Sequence, residues 1–335
     1  MQSVMRSILL IVSLGIVVLA QNNRQLVWQD EFNTPGPVDE TSWRYEIGKI
    51  RNNEAQYYTN REENIRIEDT VLIIEGRRDN WNGNTYTSAS IETETFHSWT
   101  YARIEVRAKI PTGTGTWPAI WTLGDNIPQV GWPDCGEIDI MENVGKDPDR
   151  IHGTIHTEAF NHTRGTQIGE SILVDEGPYN DFHVYAVEWY PDSIVWFFDS
   201  TRYFKFENTG GDDDEWPFHR PQHLKINLAI GGSWGGTIDT TIFPLYYLID
   251  YVRVYQHSEQ TAVSGPYSIV PGNYRAGEIH PNHTRATDVY VTDFMGRLIA
   301  GGKLQITTGS LRSGPCIINS NDRSSESILQ IMPLH

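Results

Sequence analysis

Residues 136–145 read GEIDIMENVG, and the order of polar and apolar side chains in this stretch predicts a strand that lines a groove. Alternate side chains of a regular strand share a face, so Glu137 and Asp139 point the same way and the next acid is expected at position 141. The next acid is instead Glu142, whose unpaired carboxylate a regular pleat would bury at high cost. A β-bulge at Ile140-Met141 would return Glu142 to the wet face, and bulges are common beside active sites.

Three carboxylates on one face of a groove favour glycoside hydrolysis. Two carboxyls ~5–5.5 Å apart support a double displacement that retains the anomeric configuration. Repulsion between such close acids raises the pKa of one of them, which supplies a protonated acid near neutral pH. We assign Glu137 as nucleophile and Glu142 as acid/base, with Asp139 as the hydrogen-bond partner that tunes the nucleophile. Taken alone, the residues also fit a solvated acidic strand face or a cation site.

The chain from Leu26 onward is a series of short β-type runs, which predicts an all-β fold. Residues 103–110 alternate strictly between polar and apolar, and further runs occupy 70–76, 85–93, 153–157 and 222–230. Residues 183–198 indicate a hairpin with Pro191 preset for the turn. Beyond the N-terminal apolar run we find no stretch with a helical period, so a sandwich or barrel is expected.

Composition shifts along the chain predict four segments. Residues 1–20 have a basic start, an apolar run too short for a bilayer and a small-residue cleavage site, so a signal peptide and secretion are expected. Residues 21–258 form the main domain, residues 259–287 have linker composition, and residues 288–335 carry a second short β pattern. No later segment is a candidate membrane span.

The charge balance limits the class of partner. The 26 Lys+Arg against 43 Asp+Glu give a net charge of −17, which argues against nucleic acid or an anionic membrane as partner. An uncharged polysaccharide is compatible with this surface, although acidity also simply keeps secreted proteins soluble. The 2 cysteines, Cys135 and Cys316, lie far apart, and we expect no structural disulfide. A monomer is expected.

Residues 136–142 resemble the bulged E-x-D-x-x-E signature of glycoside hydrolase family 16. Further motifs agree, namely GTGTWPAIW at 113–121, WP at 132–133, HTEAFNH at 156–162, NLAIGGSWGG at 227–236 and DYVRVYQ at 250–256. Together they are similar to the laminarinase branch, the endo-β-1,3-glucanases, from about Leu26 to Gln256. The resemblance implies a β-jelly-roll of two stacked antiparallel sheets with a concave cleft. It also implies retaining hydrolysis of β-1,3-glucan without a cofactor for the chemistry.

The resemblance also indicates which residues line the cleft. Sugars stack their apolar faces on indole rings and hydrogen-bond at the rim. The residues that would contact the substrate are Trp117, Trp121, Trp132, Trp234, His156, Asn53 and Glu54. Trp117 and Trp121 are expected on the glycone side and Trp132 and Trp234 on loops, with core packing as the alternative for each tryptophan and for His156. Many relatives carry Arg where this chain has Ser90, so any role of that Arg is lost or moved.

A structural Ca²⁺ on the convex side is a further implication of the resemblance. Glu31 and Asp250 match the positions of its carboxylate ligands, and a backbone carbonyl near Gly76 would complete the set. Such an ion would contribute stability and take no part in the chemistry.

Two questions stay open at the level of sequence. The first is the reaction, because a hydrolase of mixed-linkage glucan or agarose, or a β-glucan-binding protein without turnover, could share this fold. Non-hydrolytic relatives characteristically lack the catalytic acids, which are present here. The second is the C-terminal module, where VTDFMGRL at 291–298 and LRSG at 311–314 resemble a type IX secretion sorting domain. An unspecialised β appendage or a carbohydrate-binding module is the alternative.

Overall fold

A computed structural model describes residues 24–256 in full and the backbone of residues 257, 286–292, 298–305, 316–321 and 328–333. The chain divides into two compact units, Met1–Ser258 and Glu259–His335. The expected signal peptide, most of the expected linker and most of the two motifs at 291–298 and 311–314 lie outside the described residues. No helix in the described part of the chain is long and apolar enough to cross a membrane.

Strands dominate both units. The elements of the first unit are β1 Arg24–Asp30, β2 Arg44–Tyr45, β3 Gln56–Tyr58, β4 Ile65–Glu68, β5 Val71–Gly76, β6 Tyr86–Ser88, β7 Ser90–Glu92, β8 Ala102–Lys109, β9 Thr116–Gly124, α1 Ile127–Val130, β10 Glu137–Val144, β11 Asp147–His156, β12 Ile168–Leu173, β13 His183–Trp189, β14 Ser193–Phe198, β15 Thr201–Glu207, β16 Gln222–Ile230, α2 Gly232–Gly235 and β17 Leu245–His257. The second unit contributes two antiparallel hairpins, formed by β18 Ala286–Thr292 with β19 Leu298–Gln305 and by β20 Cys316–Asn321 with β21 Ile328–Pro333.

Two large antiparallel sheets form most of the first unit, and their packing confirms the jelly-roll expectation; β3 and β6 pair in parallel outside them. The eight-stranded sheet has the order β15-β14-β13-β8-β17-β5-β4, with β1 added beside β17. The seven-stranded sheet has the order β12-β11-β10-β9-β16-β7-β2. Apolar side chains from both sheets, among them Val106, Ile120, Ile226 and Val252, belong to one buried core between them. This core therefore fixes one face of the seven-stranded sheet and leaves its other face available for a site.

The alternation along β8 and β16 explains how each sheet presents a core face. In β8 the buried Ile104, Val106 and Ala108 alternate with the charged residues predicted for the wet face. In β16 Leu224 and Ile226 point into the core, so truncation of either to alanine should cost about 2–5 kcal/mol. Lys225, between them in β16, points to the other face of the sheet, where it is buried in the lining of a cleft.

Most expected strands are present, with two differences. Residues 85–93 do not form one strand, because the chain changes partners at Ala89: β6 pairs with β3, whereas β7 pairs with β16 and β2. The sequence also gave no sign of the two helices α1 and α2, since each spans only 4 residues and has no room for a helical period. Cys135 is buried and has a free thiol.

Candidate active site

The predicted bulge lies in β10. Asp139 is opposite Trp121 and Met141 is opposite the next residue, Ile120, so Ile140 is the extra residue on this side. On the side of β11, Asp139 is opposite Thr154 and Glu142 is opposite His152. Three residue steps along β10 therefore correspond to two along β11. Ile140 and Met141 both turn into the core, and Glu142 returns to the face that carries Glu137 and Asp139.

The three acids line one cleft on the open face of the seven-stranded sheet. Its volume is about 460 Å³. The lining includes three tryptophans and two histidines, Trp117, Trp121, Trp132, His162 and His223, together with Glu54 and Asn227. It also includes charged residues of β2, β7 and β16 and of the segments that follow β2 and β7.

An indole N–H holds each of the two glutamates. Trp132, in the turn after α1, donates from Nε1 to Oε2 of Glu137 at 2.8 Å. Trp117, on β9, donates from Nε1 to Oε1 of Glu142 at 2.9 Å. Both bonds fix the orientation of a carboxylate and favour its ionised form, because an N–H donor stabilises negative charge.

Burial governs the proton affinity of the cluster. Burial and the adjacent Asp139 raise the pKa of Glu137 to about 8, and burial raises the pKa of Glu142 to about 7. Burial and the charge of Glu142 raise the pKa of Asp139 well above its usual range. These raised pKa values let the cluster hold a proton near neutral pH.

His156 lies on β11 directly opposite Glu137. Its Nε2 is 3.3 Å from Oδ2 of Asp139 and 3.9 Å from Oε1 of Glu137, and the ring is buried. Within residues 24–256 these three side chains are the only group close enough to hold a metal ion together. The group contains the predicted nucleophile, Glu137, and its neighbour Asp139, so we assign it to proton sharing.

The four tryptophans predicted for the cleft differ in position. Trp117, Trp121 and Trp132 line it, and Trp121 donates from Nε1 to Oδ1 of Asn227 at 2.8 Å. Trp234 lies in α2 and packs edge-on against Trp117 with ring centroids 5.6 Å apart, outside the cleft lining. It therefore supports the ring of Trp117 from behind.

Of the two loop residues expected at the rim, Glu54 lines the cleft and Asn53 does not. Glu54 is buried and accepts hydrogen bonds from Gln56 at 2.6 Å and from the hydroxyl of Tyr58 at 3.0 Å. Asn53 is exposed, and its neighbour Asn52 takes the lining position. Both asparagines have a positive φ, so the turn of this loop selects which one faces the cleft.

The ligand set expected for Ca²⁺ is wrong in its third member. Gly76 pairs with Leu245 at one end of β17, and Asp250 lies five residues further along the same strand. Five residues of strand span on the order of 16 Å, too far for one ion. Glu31 accepts two hydrogen bonds from Arg253, at 2.7 and 2.9 Å, and Asp250 accepts one from Arg107 at 2.6 Å.

Sequence reasoning missed a cluster of charges at one end of the cleft. We call the distal charged cluster the six residues Arg44, Glu46, Arg51, Glu92, Glu94 and Lys225, all of which line the cleft. Ser90 donates to Glu46 at 2.6 Å, and Arg51 donates to the hydroxyl oxygen of Ser90 at 3.4 Å. The guanidinium of Arg51, which belongs to the loop after β2, therefore lies beside Ser90. The polar alternation of β16 was the signal that could have revealed Lys225.

Comparisons with known proteins agree with this geometry. The family model described as glycosyl hydrolases family 16 matches residues 50–279. A β-glucanase of Rhodothermus marinus is 49% identical over 247 residues, which cover 70% of this chain and 86% of that protein. The X-ray structure of the laminarinase from Rhodothermus marinus has a TM-score of 0.67 at 49% identity, covering 70% of this chain and 97% of that one. An endo-β-1,3-glucanase from Pyrococcus furiosus has a TM-score of 0.65 at 38% identity, covering 70% and 94%.

Proposed function

The chain belongs to glycosyl hydrolase family 16, and from that membership we propose that it is a retaining endo-β-1,3-glucanase acting on laminarin-type glucan. The observation that carries the proposal is the bulge in β10, which brings Glu137, Asp139 and Glu142 together in one cleft. The relatives compared above are glucanases and laminarinases, and the cleft walls offer the indole rings on which sugars stack.

The first half-reaction forms a glycosyl–enzyme ester. A carboxylate oxygen of Glu137 attacks the anomeric carbon while the bond from that carbon to the glycosidic oxygen breaks. Glu142 gives its proton to the departing oxygen, so the leaving chain departs as a neutral alcohol. Burial raises the pKa of Glu142 to about 7, so a large fraction of this acid is protonated near neutral pH.

The second half-reaction uses water. Glu142, now ionised, takes a proton from a water molecule whose oxygen attacks the anomeric carbon and displaces Glu137. Two inversions at the same carbon retain its configuration. The product is released with Glu137 ionised and Glu142 protonated again, so the cycle closes without a cofactor.

Asp139 and His156 set the proton distribution that the first step needs. Glu137 must be ionised, although burial and Asp139 raise its pKa to about 8. Glu137 and Asp139 share one proton, and Glu137 is ionised when that proton is on Asp139. The N–H of Trp132 stabilises the ionised form of Glu137. His156, within 3.9 Å of both acids, is placed to stabilise negative charge on either one.

Secretion would suit a polymer-degrading enzyme, and we include it in the proposal. Its support is the basic start and apolar run of residues 1–20.

Reducing-end release from laminarin, lichenan and agarose tests the proposal. We expect release from laminarin, a β-configured product when the first-formed anomer is followed by NMR, and no release by Glu137→Gln. Glu137→Gln should still bind laminarin in calorimetry. Faster release from agarose would favour the galactan alternative, and binding without release by the unmodified protein would identify a non-hydrolytic glucan-binding protein.

A further inference from the structure

One row of side chains crosses the open face of the seven-stranded sheet. Asp139 on β10 is opposite Trp121 on β9, Trp121 is opposite Lys225 on β16, Lys225 is opposite Glu92 on β7, and Glu92 is opposite Arg44 on β2. Residues directly opposite in antiparallel strands point to the same face. Neighbouring strands lie ~4.8 Å apart, so Lys225 is on the order of 10 Å and Glu92 on the order of 14 Å from Asp139.

The charges along this row are connected by ion pairs. Lys225 contacts Glu46 at 3.0 Å and also pairs with Glu92. Arg44 pairs with both Glu92 and Glu94. Arg51 binds Glu46 at 3.1 Å through Nη1 and pairs with it again through Nη2. The six residues therefore form one network with the catalytic cleft above it.

Stability gives no reason to keep these charges buried. Lys225 is only 4% exposed and Glu92 only 2%. Desolvation of such a pair offsets most of its attraction, and apolar residues of similar size would hold a fold equally well. The core face of the same strand is already apolar, through Leu224 and Ile226. A network on the cleft side, in the path of a bound polymer, is better explained by recognition.

The equal numbers of positive and negative charges in the network indicate the class of ligand. The network contains three cations, Arg44, Arg51 and Lys225, and three anions, Glu46, Glu92 and Glu94. A sulfated or carboxylated sugar would meet the three glutamates as well as the cations. A neutral sugar instead suits both, because each hydroxyl can donate to a carboxylate and accept from an ammonium or guanidinium.

The two cations nearest the catalytic centre also bracket Trp121. Lys225 Nζ and the guanidinium carbon of Arg51 are each 5.1 Å from the indole centroid. The ring is thus held between the catalytic acids and the network. A sugar bound at Trp121 would therefore have its next neighbour in the chain directed over Lys225 and Glu92.

We propose that the distal charged cluster is a binding subsite for remote, uncharged sugar units of the substrate, read through their hydroxyl groups by the Lys225–Glu92 pair and its partners. This proposal rests on the function proposed above and adds the residues by which chain length is sensed. Lys225 lies one strand beyond Trp121 and Glu92 lies two strands beyond it, so the subsite contacts chains that extend past Trp121.

The test compares long and short substrates in a variant that keeps the charge balance. Lys225→Met with Glu92→Gln removes both charges with little change in shape, and so avoids leaving one of them buried and unpaired. The matched control is Lys205→Met with Glu207→Gln, an exposed ion pair on β15 of the other sheet. We expect kcat/KM for long laminarin oligosaccharides to fall about ten-fold or more, as for the loss of one charged hydrogen bond. The loss should be clearly smaller for the shortest cleaved oligosaccharide, and the control variant should keep the unmodified values.

Calorimetry in the Glu137→Gln background separates this proposal from the proposed function. Long oligosaccharides should bind about ten-fold more weakly when Lys225 and Glu92 are also changed, whether or not the unmodified protein hydrolyses them. Arg44→Met, at the half-exposed end of the row, is the second variant and should weaken binding of the longest chains only. Equal losses for short and long chains would overturn the subsite, and tighter binding of a sulfated galactan than of laminarin would overturn the neutral ligand.

Discussion

Nε1 of Trp132 donates a hydrogen bond of 2.8 Å to Oε2 of Glu137. The corresponding bond from Trp117 to Glu142 measures 2.9 Å. Each glutamate thus has one indole donor of its own, from a different element of the fold. Since the two acids need opposite protonation states in the first step, the two indoles should be separable by experiment.

Trp132→Phe keeps an aromatic ring and removes only the donor to Glu137. The ionised form of Glu137 loses stabilisation, so its pKa rises further above its usual range and the nucleophile ionises at higher pH. We expect the acid limb of the kcat/KM profile to move to higher pH, with about a ten-fold loss at neutral pH. Trp117→Phe is the matched change at Glu142 and should move the basic limb upward, with the acid limb in place. Identical shifts in both variants would contradict the separate roles.

Asp139→Asn should move the acid limb the other way. Burial and Asp139 together raise the pKa of Glu137, and the amide removes the second of these causes. Glu137 then ionises at lower pH, so the acid limb shifts downward while kcat falls because the shared proton is gone. The pH profile on laminarin measures both effects. A fall in kcat with an unmoved acid limb would mean that Asp139 only positions its neighbour.

Glu142→Ala tests the acid/base role. Loss of a general acid costs roughly 10²–10⁴ in rate when the leaving group is a sugar. An aryl glucoside with a good leaving group needs no proton, so it should still form the ester with Glu137. Added azide should then accelerate turnover and give a β-glycosyl azide, identified by NMR. An α-configured azide, or no rescue, would count against Glu142 as the acid/base.

Glu137→Gln should stabilise the protein at alkaline pH. The pKa of Glu137 is raised to about 8 in the folded state, against ~4.3 in an unfolded chain. The stability associated with its neutral form is complete below the unfolded pKa and is lost as pH rises through about 8. We expect the variant to match the parent near pH ~4 and to exceed it by about 2 kcal/mol or more above pH ~8.

Chemical denaturation at these two pH values measures the difference in the free energy of unfolding. Glu207→Gln, at a largely exposed position of β15, is the control and should leave it unchanged at both. A variant no more stable than the parent at high pH would mean that the carboxylate of Glu137 is solvated in the folded state.

The sequence predicted the parts of the site that depend on the period of a strand. The misplaced acid at Glu142 was sufficient to locate the bulge, since only an extra residue could bring it back to the face of Glu137. The alternation of residues 103–110 predicted β8 to within one residue at each end. The family resemblance added Trp117, Trp121 and Trp132, which a single chain cannot distinguish from core tryptophans.

What the sequence could not predict depends on which strands become neighbours. Lys225 and Glu92 are 133 residues apart, and only the pairing of β16 with β7 makes them an ion pair. Gly76 was wrongly grouped with Asp250 for the same reason, because the register of β5 on β17 was unknown. The choice of Asn52 over Asn53 was decided by the backbone of one loop, which no pattern of polarity encodes.

The row from Asp139 to Arg44 runs across the strands, so each strand contributes one side chain to it. A polymer bound along the row meets a new side chain about every 4.8 Å. Backbone hydrogen bonds set this spacing, and the side chains do not change it. Each position of the row can be changed by one substitution on one strand, without altering the catalytic acids. A library of enzymes with different product lengths is therefore accessible from positions 44, 92 and 225 alone.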